Sequence, residues 1–178
     1  MTTKTSSAAP ALLLLALLAA GWRPAAGRRL RLGFCPVTVH IHELRHSFSE
    51  MRQSAVSDSK QCYLKHWLWL LLSSQQPSES CCFFKHMLGF YVERVFSGYT
   101  IMQSKHRKST SNLANSFLSI KRDLRQCHEQ VLCECQEKTR LTLAAIRSSF
   151  DKLEPKDAVV KAVGELDSLL DWLESFAP

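Results

Sequence analysis

Cysteine and histidine side chains cluster in two short stretches of the sequence. CHEQVLCEC, residues 127–135, contains three cysteines and one histidine, and CCFFKH, residues 81–86, contains two adjacent cysteines and one histidine. Thiols and imidazoles at these spacings could ligate zinc, act as a catalytic thiol with its base, or pair as disulfides. The compartment in which the chain folds decides among the three.

The N-terminal residues have the order of segments that a secretory signal peptide needs. Lys4 supplies a positive charge, residues 11–20 read ALLLLALLAA, and the small residues of PAAG follow. An apolar run of this length reaches about 15 Å as a helix, half of a bilayer core of about 30 Å, so it is no membrane anchor. We expect residues 1–27 to be removed and residues 28–178 to form one secreted, extracellular domain.

The charge balance of the secreted chain is modestly basic. Loss of residues 1–27 removes two basic residues and lowers the formal net charge from +7 to +5. This charge permits binding to heparan sulfate or to an acidic receptor surface, but it is too small to indicate nucleic acid as a partner. Export also places the cysteines in an oxidising compartment, where they pair as disulfides in preference to binding zinc.

Two alternative chemistries fail on their own motifs. Structural zinc sites usually take cysteines at C-x₂₋₄-C spacing, which Cys133 and Cys135 do not provide. CCFFKH resembles the Cys-Cys-x-x-His motif of secreted phospholipases A2, but Lys85 stands at the histidine position and Met87 replaces the acid that follows it. We therefore expect no enzymatic activity, no metal and no cofactor.

Apolar residues recur at spacings of three and four along most of the remaining chain, which places them on one face of amphipathic helices. Five such stripes with short connections predict an all-α bundle. The stripes are Val37, Ile41, Leu44, Phe48, Met51 and Ala55; Phe84, Met87, Leu88, Tyr91, Val95 and Tyr99; Leu113, Phe117, Ile120 and Leu124; Leu143, Ile146, Phe150 and Leu153; and Val159, Val163, Leu166, Leu170 and Leu173.

Local signals predict where some of these helices begin and end. Pro77 fits the first turn of the second helix, and Gly98 predicts its end. Residues 103–112 are polar and turn-prone, which predicts a loop, with Ser111 or Asn112 as the cap of the next helix. The sequence thus predicts a helix break of about ten residues between the second and third stripes.

The adjacent cysteines constrain the disulfides. If Cys81 and Cys82 lie early in a helix, their side chains diverge by about 100°, so they need different partners. Cys133 and Cys135, in the connection between two helices, can each supply one. The spacing does not decide which of the two takes which.

The seven cysteines leave one thiol over after three pairs form. Cys35, just before the first helix, remains to bond Cys127, and Cys62 is then the free thiol. A bridge between Cys35 and Cys127 closes a loop of about 90 residues, which the chain-entropy model values at roughly 4–5 kcal/mol. Such a bridge would tie the first helix to the third.

Three blocks of sequence resemble the interleukin-10 family of helical cytokines, in its branch of interleukins 19, 20 and 24. They are CCFFKHMLGFYVERVF, SNLANSFLSIKRDLRQCHEQVLCEC and KLEPKDAVVKAVGELDSLLDWLE. The resemblance implies a monomeric antiparallel bundle of about six or seven helices. It also implies the bridges Cys35–Cys127, Cys81–Cys133 and Cys82–Cys135.

The same resemblance implies a function. A cytokine of this branch bridges two class II cytokine receptor ectodomains, the interleukin-20 receptor beta chain with either interleukin-20 receptor alpha or the interleukin-22 receptor chain. Signalling then runs through JAK kinases and STAT factors. A different class, a basic host-defence protein that binds membranes or glycosaminoglycans, would need its positive charge concentrated on one amphipathic face.

Candidate receptor contacts lie among ordinary surface residues, for which a purely solvated role is the alternative. One group occupies outward positions of the first helix, and a basic run, which includes His106, precedes the third. The candidates are His42, Arg45, Glu50, Lys105, Arg107 and Lys108.

Acidic residues of the last helix fall between its apolar positions, so we expect a solvated charged face rather than a pair of catalytic carboxylates. They are Glu165, Asp167, Asp171 and Glu174. Trp172 lies beside the apolar stripe and is expected to pack. Residues 57–80 depart from the family pattern, since they hold Cys62 and an apolar WLWLLL run where the family has a mostly polar loop.

Overall fold

Helices dominate the computed structural model, which describes residues 27–57, 77–130 and 133–176. The predicted free thiol, Cys62, lies outside these residues, and so does nearly all of the predicted signal peptide. The described helices are α1 (Ile41–Ser57), α2 (Ser80–Phe90), α3 (Ser97–Met102), α4 (Arg107–Gln130), α5 (Glu137–Asp151) and α6 (Pro155–Glu174). The all-α fold class predicted from the apolar stripes is confirmed.

A short antiparallel hairpin precedes the helices. Strand β1 (Arg28–Leu32) pairs with strand β2 (Cys35–Val39), so that Leu32 faces Cys35 across a two-residue turn. Gly33 in that turn has a φ of 62°, a value that glycine adopts without steric cost. The placement of Val37 in the first helix was therefore wrong. Val37 is buried because it lies in β2, where buried and exposed residues alternate.

The second stripe lies on one continuous helical rod. A 3₁₀ turn (Pro77–Glu79) leads into α2, a π-helical segment (Tyr91–Phe96) follows, and α3 continues it. Pro77 therefore begins this rod as predicted, but Gly98 does not end it. A Cβ at Gly98 would lie 2.7 Å from Cγ2 of Val159, so this glycine allows α3 to approach α6 closely.

The predicted loop at residues 103–112 is largely helical. Gln103 alone departs from helical geometry, a 3₁₀ turn (Ser104–His106) follows, and α4 already begins at Arg107. Its polar side chains have partners that composition does not reveal. Thr110 donates a hydrogen bond to the carbonyl of His106 at 2.8 Å, and Ser109 donates one to the Glu50 carboxylate.

The stripes form the core. Leu153 is the exception, since 37% of it is exposed, while Ile41 and Phe150 are half-buried and the side chain of Ala55 lies outside the described residues. Trp172 packs as expected, stacked on Phe84 with 4.6 Å between ring centroids. Helices α1 and α6 run antiparallel, because Arg45 contacts Glu174 whereas the later Arg52 contacts the earlier Asp167. Buried stripe residues are Leu44, Phe48 and Met51; Phe84, Met87, Leu88, Tyr91, Val95 and Tyr99; Leu113, Phe117, Ile120 and Leu124; Leu143 and Ile146; and Val159, Val163, Leu166, Leu170 and Leu173.

None of the helices in the described ranges combines the length and the apolar composition that crossing a membrane requires.

Candidate receptor-binding surfaces

Three disulfides join the hairpin, α2 and α4 at one end of the bundle. Cys35 bonds Cys127, with 5.7 Å between their Cα atoms. Cys81 bonds Cys133, with a Cα separation of 6.1 Å, and Cys82 bonds Cys135, with a Cα separation of 5.5 Å. These are the pairs that the family resemblance implies. We call this part of the molecule the disulfide end.

Polar contacts hold the connector between α4 and α5 against the same end. The backbone N–H of Cys133 donates to Nδ1 of His128 at 3.1 Å. The Thr139 hydroxyl, at the start of α5, donates to the buried carboxylate of Glu79. The sequence analysis missed this pair, because no local pattern marks a buried glutamate in front of a helix.

Two clusters of cysteine and histidine have the proximity of metal ligands. One contains Cys35, Cys81 and Cys133, and the other contains Cys82, His86 and Cys135. Every cysteine in both clusters is disulfide-bonded. Cysteine binds zinc as a thiolate, and a cysteine in a disulfide has no thiolate to offer. The donor set of either cluster therefore does not fit zinc.

Arg45 joins α1 to α6 through three carboxylates. Its Nε lies 2.7 Å from Oε1 of Glu174, its Nη1 lies 2.7 Å from Oδ1 of Asp167, and its Nη2 contacts Asp171. Burial lowers the pKa of Arg45, but its hydrogen bonds to Asp171 and Glu174 outweigh that cost and leave the pKa raised. We call this arrangement the Arg45 clamp.

The expectation of a solvated acidic face on α6 was therefore wrong for Asp167, whereas Asp171 is exposed although it contacts Arg45. Asp167 keeps only 15% of its side chain exposed, and its second oxygen lies 3.1 Å from Nη1 of Arg52. The carboxylates project toward α1 rather than away from the bundle. Helical spacing locates them on α6, but it does not reveal a cation on a helix more than a hundred residues away.

Glu165 departs further from that expectation, because it is buried. Its exposed fraction is 7%, and among the described residues its Oε1 has no hydrogen-bond partner. It borders a cavity of about 30 Å³ that Tyr91 and Phe150 also line. Burial raises the pKa of Glu165 to about 7, although the charge of Lys161 acts in the opposite direction.

The predicted receptor contacts separate into two groups. His42 and Arg45 line one shallow depression beside the hairpin, together with Glu174 of α6. We call these two residues the hairpin-end group. His42 is exposed, whereas Arg45 takes part in the clamp described above.

The remaining candidates lie where α3 meets α4, and we call them the junction group. Lys105, Arg107 and Lys108 are exposed, the first in the 3₁₀ turn and the others in the first turn of α4. Glu50 reaches them from α1 through its contact with Ser109. The structure thus brings Glu50 to the basic run, but it does not join this group to His42.

Exposed apolar residues are a further surface feature that the sequence analysis did not single out. Phe34 at the hairpin turn is 70% exposed, Ile101 on α3 is 85% exposed and Leu141 on α5 is 61% exposed. The glycine before Phe34 and the alternation around it could have signalled a hairpin tip. Helical periodicity could also have predicted that Ile101 lies on a different face of the helix from the buried Tyr99.

The sequence and the fold match known proteins along most of the chain. The family model described as Interleukin 10 matches residues 29–178. The chain belongs to the interleukin-10 family. Within it, the chain is 36% identical over 159 residues to interleukin-20 of Mus musculus, which covers 86% of this chain and 88% of the relative.

Other members of the interleukin-10 family give the same result. Interleukin-19 of Homo sapiens is 32% identical over 142 residues, covering 78% of this chain and 79% of the relative. A solved structure of PROSS-edited human interleukin 24 superposes with a TM-score of 0.71 at 30% identity, covering 84% of this chain and 99% of that one. Human interleukin-19 superposes with a TM-score of 0.67 at 30% identity, covering 78% and 90%.

Membership in the interleukin-10 family decides between the broad classes of activity. The relatives are cytokines, which are signalling proteins without enzymatic activity. The chain is therefore a helical, disulfide-bonded protein of the cytokine class and not an enzyme.

Proposed function

We propose that the protein is secreted, acts as a monomer, and bridges two class II cytokine receptor chains on a target cell. The observation that supports this most is its similarity to interleukin-20 of Mus musculus along most of both chains. The receptor pair would be the interleukin-20 receptor beta chain with interleukin-20 receptor alpha or the interleukin-22 receptor chain. JAK kinases and STAT factors would carry the signal inside the cell.

Secretion follows from the proposed removal of residues 1–27. Strand β1 begins at Arg28, and the family match begins at residue 29. Both boundaries are consistent with cleavage after the small residues that precede Arg28. The mass of the protein collected from the medium of expressing mammalian cells tests this, and an intact leader would contradict it.

A receptor-bridging ligand benefits from a rigid body, because loops that become ordered on binding reduce affinity. One disulfide fixes the hairpin to α4, two fix α2 to the connector after α4, and the Arg45 clamp fixes the beginning of α1 against α6. Receptor chains would therefore meet surfaces that are already in place. A few anchor residues on each surface would then dominate the binding free energy.

We assign receptor contacts to both groups of candidate residues. His42 offers an exposed imidazole beside Arg28 at the open end of the hairpin, and Phe34, in the turn at the other end of its strands, offers a separate apolar anchor. The junction group offers three exposed cations, which would pair with an acidic receptor surface and accelerate association. Ile101 lies on the preceding helix and could supply an apolar contact there.

Surface plasmon resonance against each immobilised receptor ectodomain, alone and in pairs, tests the function. The wild-type chain should bind a pair more tightly than either member alone, and it should induce STAT phosphorylation in cells that express the pair. Failure to bind any of the three ectodomains would contradict the proposal. Salt-sensitive binding to heparin or anionic vesicles without receptor binding would favour the host-defence alternative.

Matched variants test the residues. His42→Ala should weaken binding to one ectodomain, and the double variant Lys105→Ala/Lys108→Ala should slow association with one. Lys152→Ala is the control, because Lys152 is equally exposed but lies between α5 and α6. If the control loses as much affinity as the other variants, the assignment of these residues is wrong.

A further inference from the structure

Cations from three helices surround His86 on the outer side of α2. Lys85 precedes it on the same helix, Lys121 approaches from α4 and Arg147 approaches from α5. The pKa of His86 is lowered, first by burial and then by the charges of Arg147, Lys85 and Lys121. Cations of α2, α4 and α5 thus lie close enough to His86 to act on the same imidazole.

A glycine makes room for one of these cations. A Cβ at Gly89 would lie 2.9 Å from Nζ of Lys121, so the lysine lies directly across the backbone of α2. Its Nζ is 3.2 Å from Oε1 of Glu93, and 34% of its side chain is exposed. Lys121 thus bridges two helices and still presents its charge at the surface.

Two further arginines extend this basic face toward the disulfide end. Arg125 follows Lys121 by four residues on α4, and Arg140 precedes Arg147 by seven residues on α5. Residues at these spacings share a helix face. Both arginines are exposed, so the face carries cations on both sides of α2.

Acidic groups neutralise only part of this charge, since Glu93 pairs with Lys121 and Glu129 follows Arg125 by four residues on α4. Asp151, the acidic residue that ends α5, pairs with Arg94 at 2.6 Å. Within residues 27–57, 77–130 and 133–176, no carboxylate lies within ion-pair distance of Lys85 or Arg147. Glu137 lies three residues before Arg140 and offsets part of the charge at that edge.

We propose that this face, defined by Lys85, His86, Lys121, Arg125, Arg140 and Arg147, binds a sulfated polysaccharide of the heparan sulfate type. Sulfate groups along such a chain would meet cations from α4, α2 and α5 in turn, which suits an extended polyanion. The face contains none of the residues assigned to receptor contacts. It would therefore retain the protein at cell surfaces without occupying the receptor-binding groups.

The basic run before α4 is a weaker polyanion site than its composition suggests. Its cations come from one short stretch, and the Glu50 carboxylate lies against Ser109, directly after it. His106 is turned toward Tyr99, with 6.5 Å between ring centroids. The run therefore presents a smaller and partly neutralised surface.

Two triple variants with equal changes in net charge test the proposal on immobilised heparin. Lys85→Gln/Lys121→Gln/Arg147→Gln should weaken binding about tenfold at physiological salt, because counterion-releasing contacts are lost. Lys105→Gln/Arg107→Gln/Lys108→Gln should weaken it by less than about threefold, since net charge alone contributes little across a Debye length. Chemically desulfated heparin should bind neither the wild type nor the variants.

Equal losses in the two triple variants, or a larger loss at the junction group, would overturn the proposal. Circular dichroism and thermal melting check folding, and Arg147→Gln alone, which should cost about two- to threefold, serves if the triple variant is unstable. Receptor binding of the same variants separates the two functions. The triple variant of Lys85, Lys121 and Arg147 should bind the receptor ectodomains as tightly as the wild type. Failure of the polysaccharide proposal and failure of the receptor proposal can therefore be told apart.

Discussion

The guanidinium of Arg45 and the carboxylate of Asp167 lie 2.7 Å apart and connect the first helix of the bundle to the last. Asp171 and Glu174 complete the clamp, and the side chain of Arg45 is only 30% exposed. A partly buried cation with three acceptors contributes more than an exposed ion pair, which is worth about 0–1 kcal/mol. Arg45 thus stabilises the fold through the clamp, and it also belongs to the hairpin-end group.

Replacing Arg45 should destabilise the fold. Arg45→Ala leaves carboxylates of α6 without their shared cation, so we expect the free energy of unfolding to fall by about 1–3 kcal/mol. Arg52→Ala is the matched control, because among the described residues Arg52 forms an ion pair with Asp167 alone and its side chain is 48% exposed. Urea unfolding should show the smaller loss in the control, and equal losses would exclude a special role for the clamp.

Glu165 should make stability depend on pH. Its pKa is about 7 in the folded protein instead of the ordinary 4.5, so the folded state holds the proton more tightly than the unfolded state. Stability should therefore decline as the pH rises from about 4.5 through about 7, by up to about 3 kcal/mol. Urea unfolding at pH 5 and pH 8 measures this decline.

Glu165→Gln should remove most of that decline, because the amide carries no charge to bury. The variant should be more stable than the wild type at pH 8 and similar to it at pH 5. Glu129→Gln, an exposed change on α4, should leave the pH profile as it is. A profile that is identical in wild type and Glu165→Gln would show that another group titrates.

Two glycines should respond to alanine in opposite directions. Gly33 has a φ of 62°, and its Cβ would lie 2.9 Å from the carbonyl oxygen of Ser78. Gly33→Ala should therefore cost about 1–2 kcal/mol. Gly164 lies inside α6, and in the described part of the chain no atom outside the backbone of its own helix lies within 4 Å of a Cβ there, so Gly164→Ala should add about 0.5–1 kcal/mol. Denaturant midpoints that move in the same direction would contradict this.

The pKa of His86 should rise when a neighbouring cation is removed. Arg147→Gln eliminates one of the charges that lower it, so the NMR titration of the imidazole should shift to higher pH. Arg122→Gln, an exposed change on α4 that is not among those charges, is the control. If the titration of His86 is unchanged in Arg147→Gln, Arg147 does not lie close enough to His86 to belong to the basic face.

Intact mass before and after reduction should reveal three intramolecular bridges. Alkylation without reduction should modify one cysteine, which we predict to be Cys62. Peptide mapping should then recover the bridges Cys35–Cys127, Cys81–Cys133 and Cys82–Cys135. Alkylation of more than one cysteine in the folded, secreted chain would contradict this assignment.

Sequence patterns alone predicted most of the helices and the class of protein. Apolar spacing located the buried faces of five helical rods, since burial of such a stripe is what makes an amphipathic helix stable. The predicted break at Gly98 failed for a physical reason. A glycine reads as an end in the local sequence, whereas here it admits Val159 from another helix.

Which charged residues face inward depends on how the helices pack against one another. Glu165 and Asp167 occupy ordinary polar positions in the sequence, yet one is buried beside Tyr91 and the other meets Arg45 of α1. Helical periodicity gives the direction of a side chain on its own helix and says nothing of what another helix brings there. Electrostatic partners more than a hundred residues apart are therefore fixed by packing, and so is the basic face around His86.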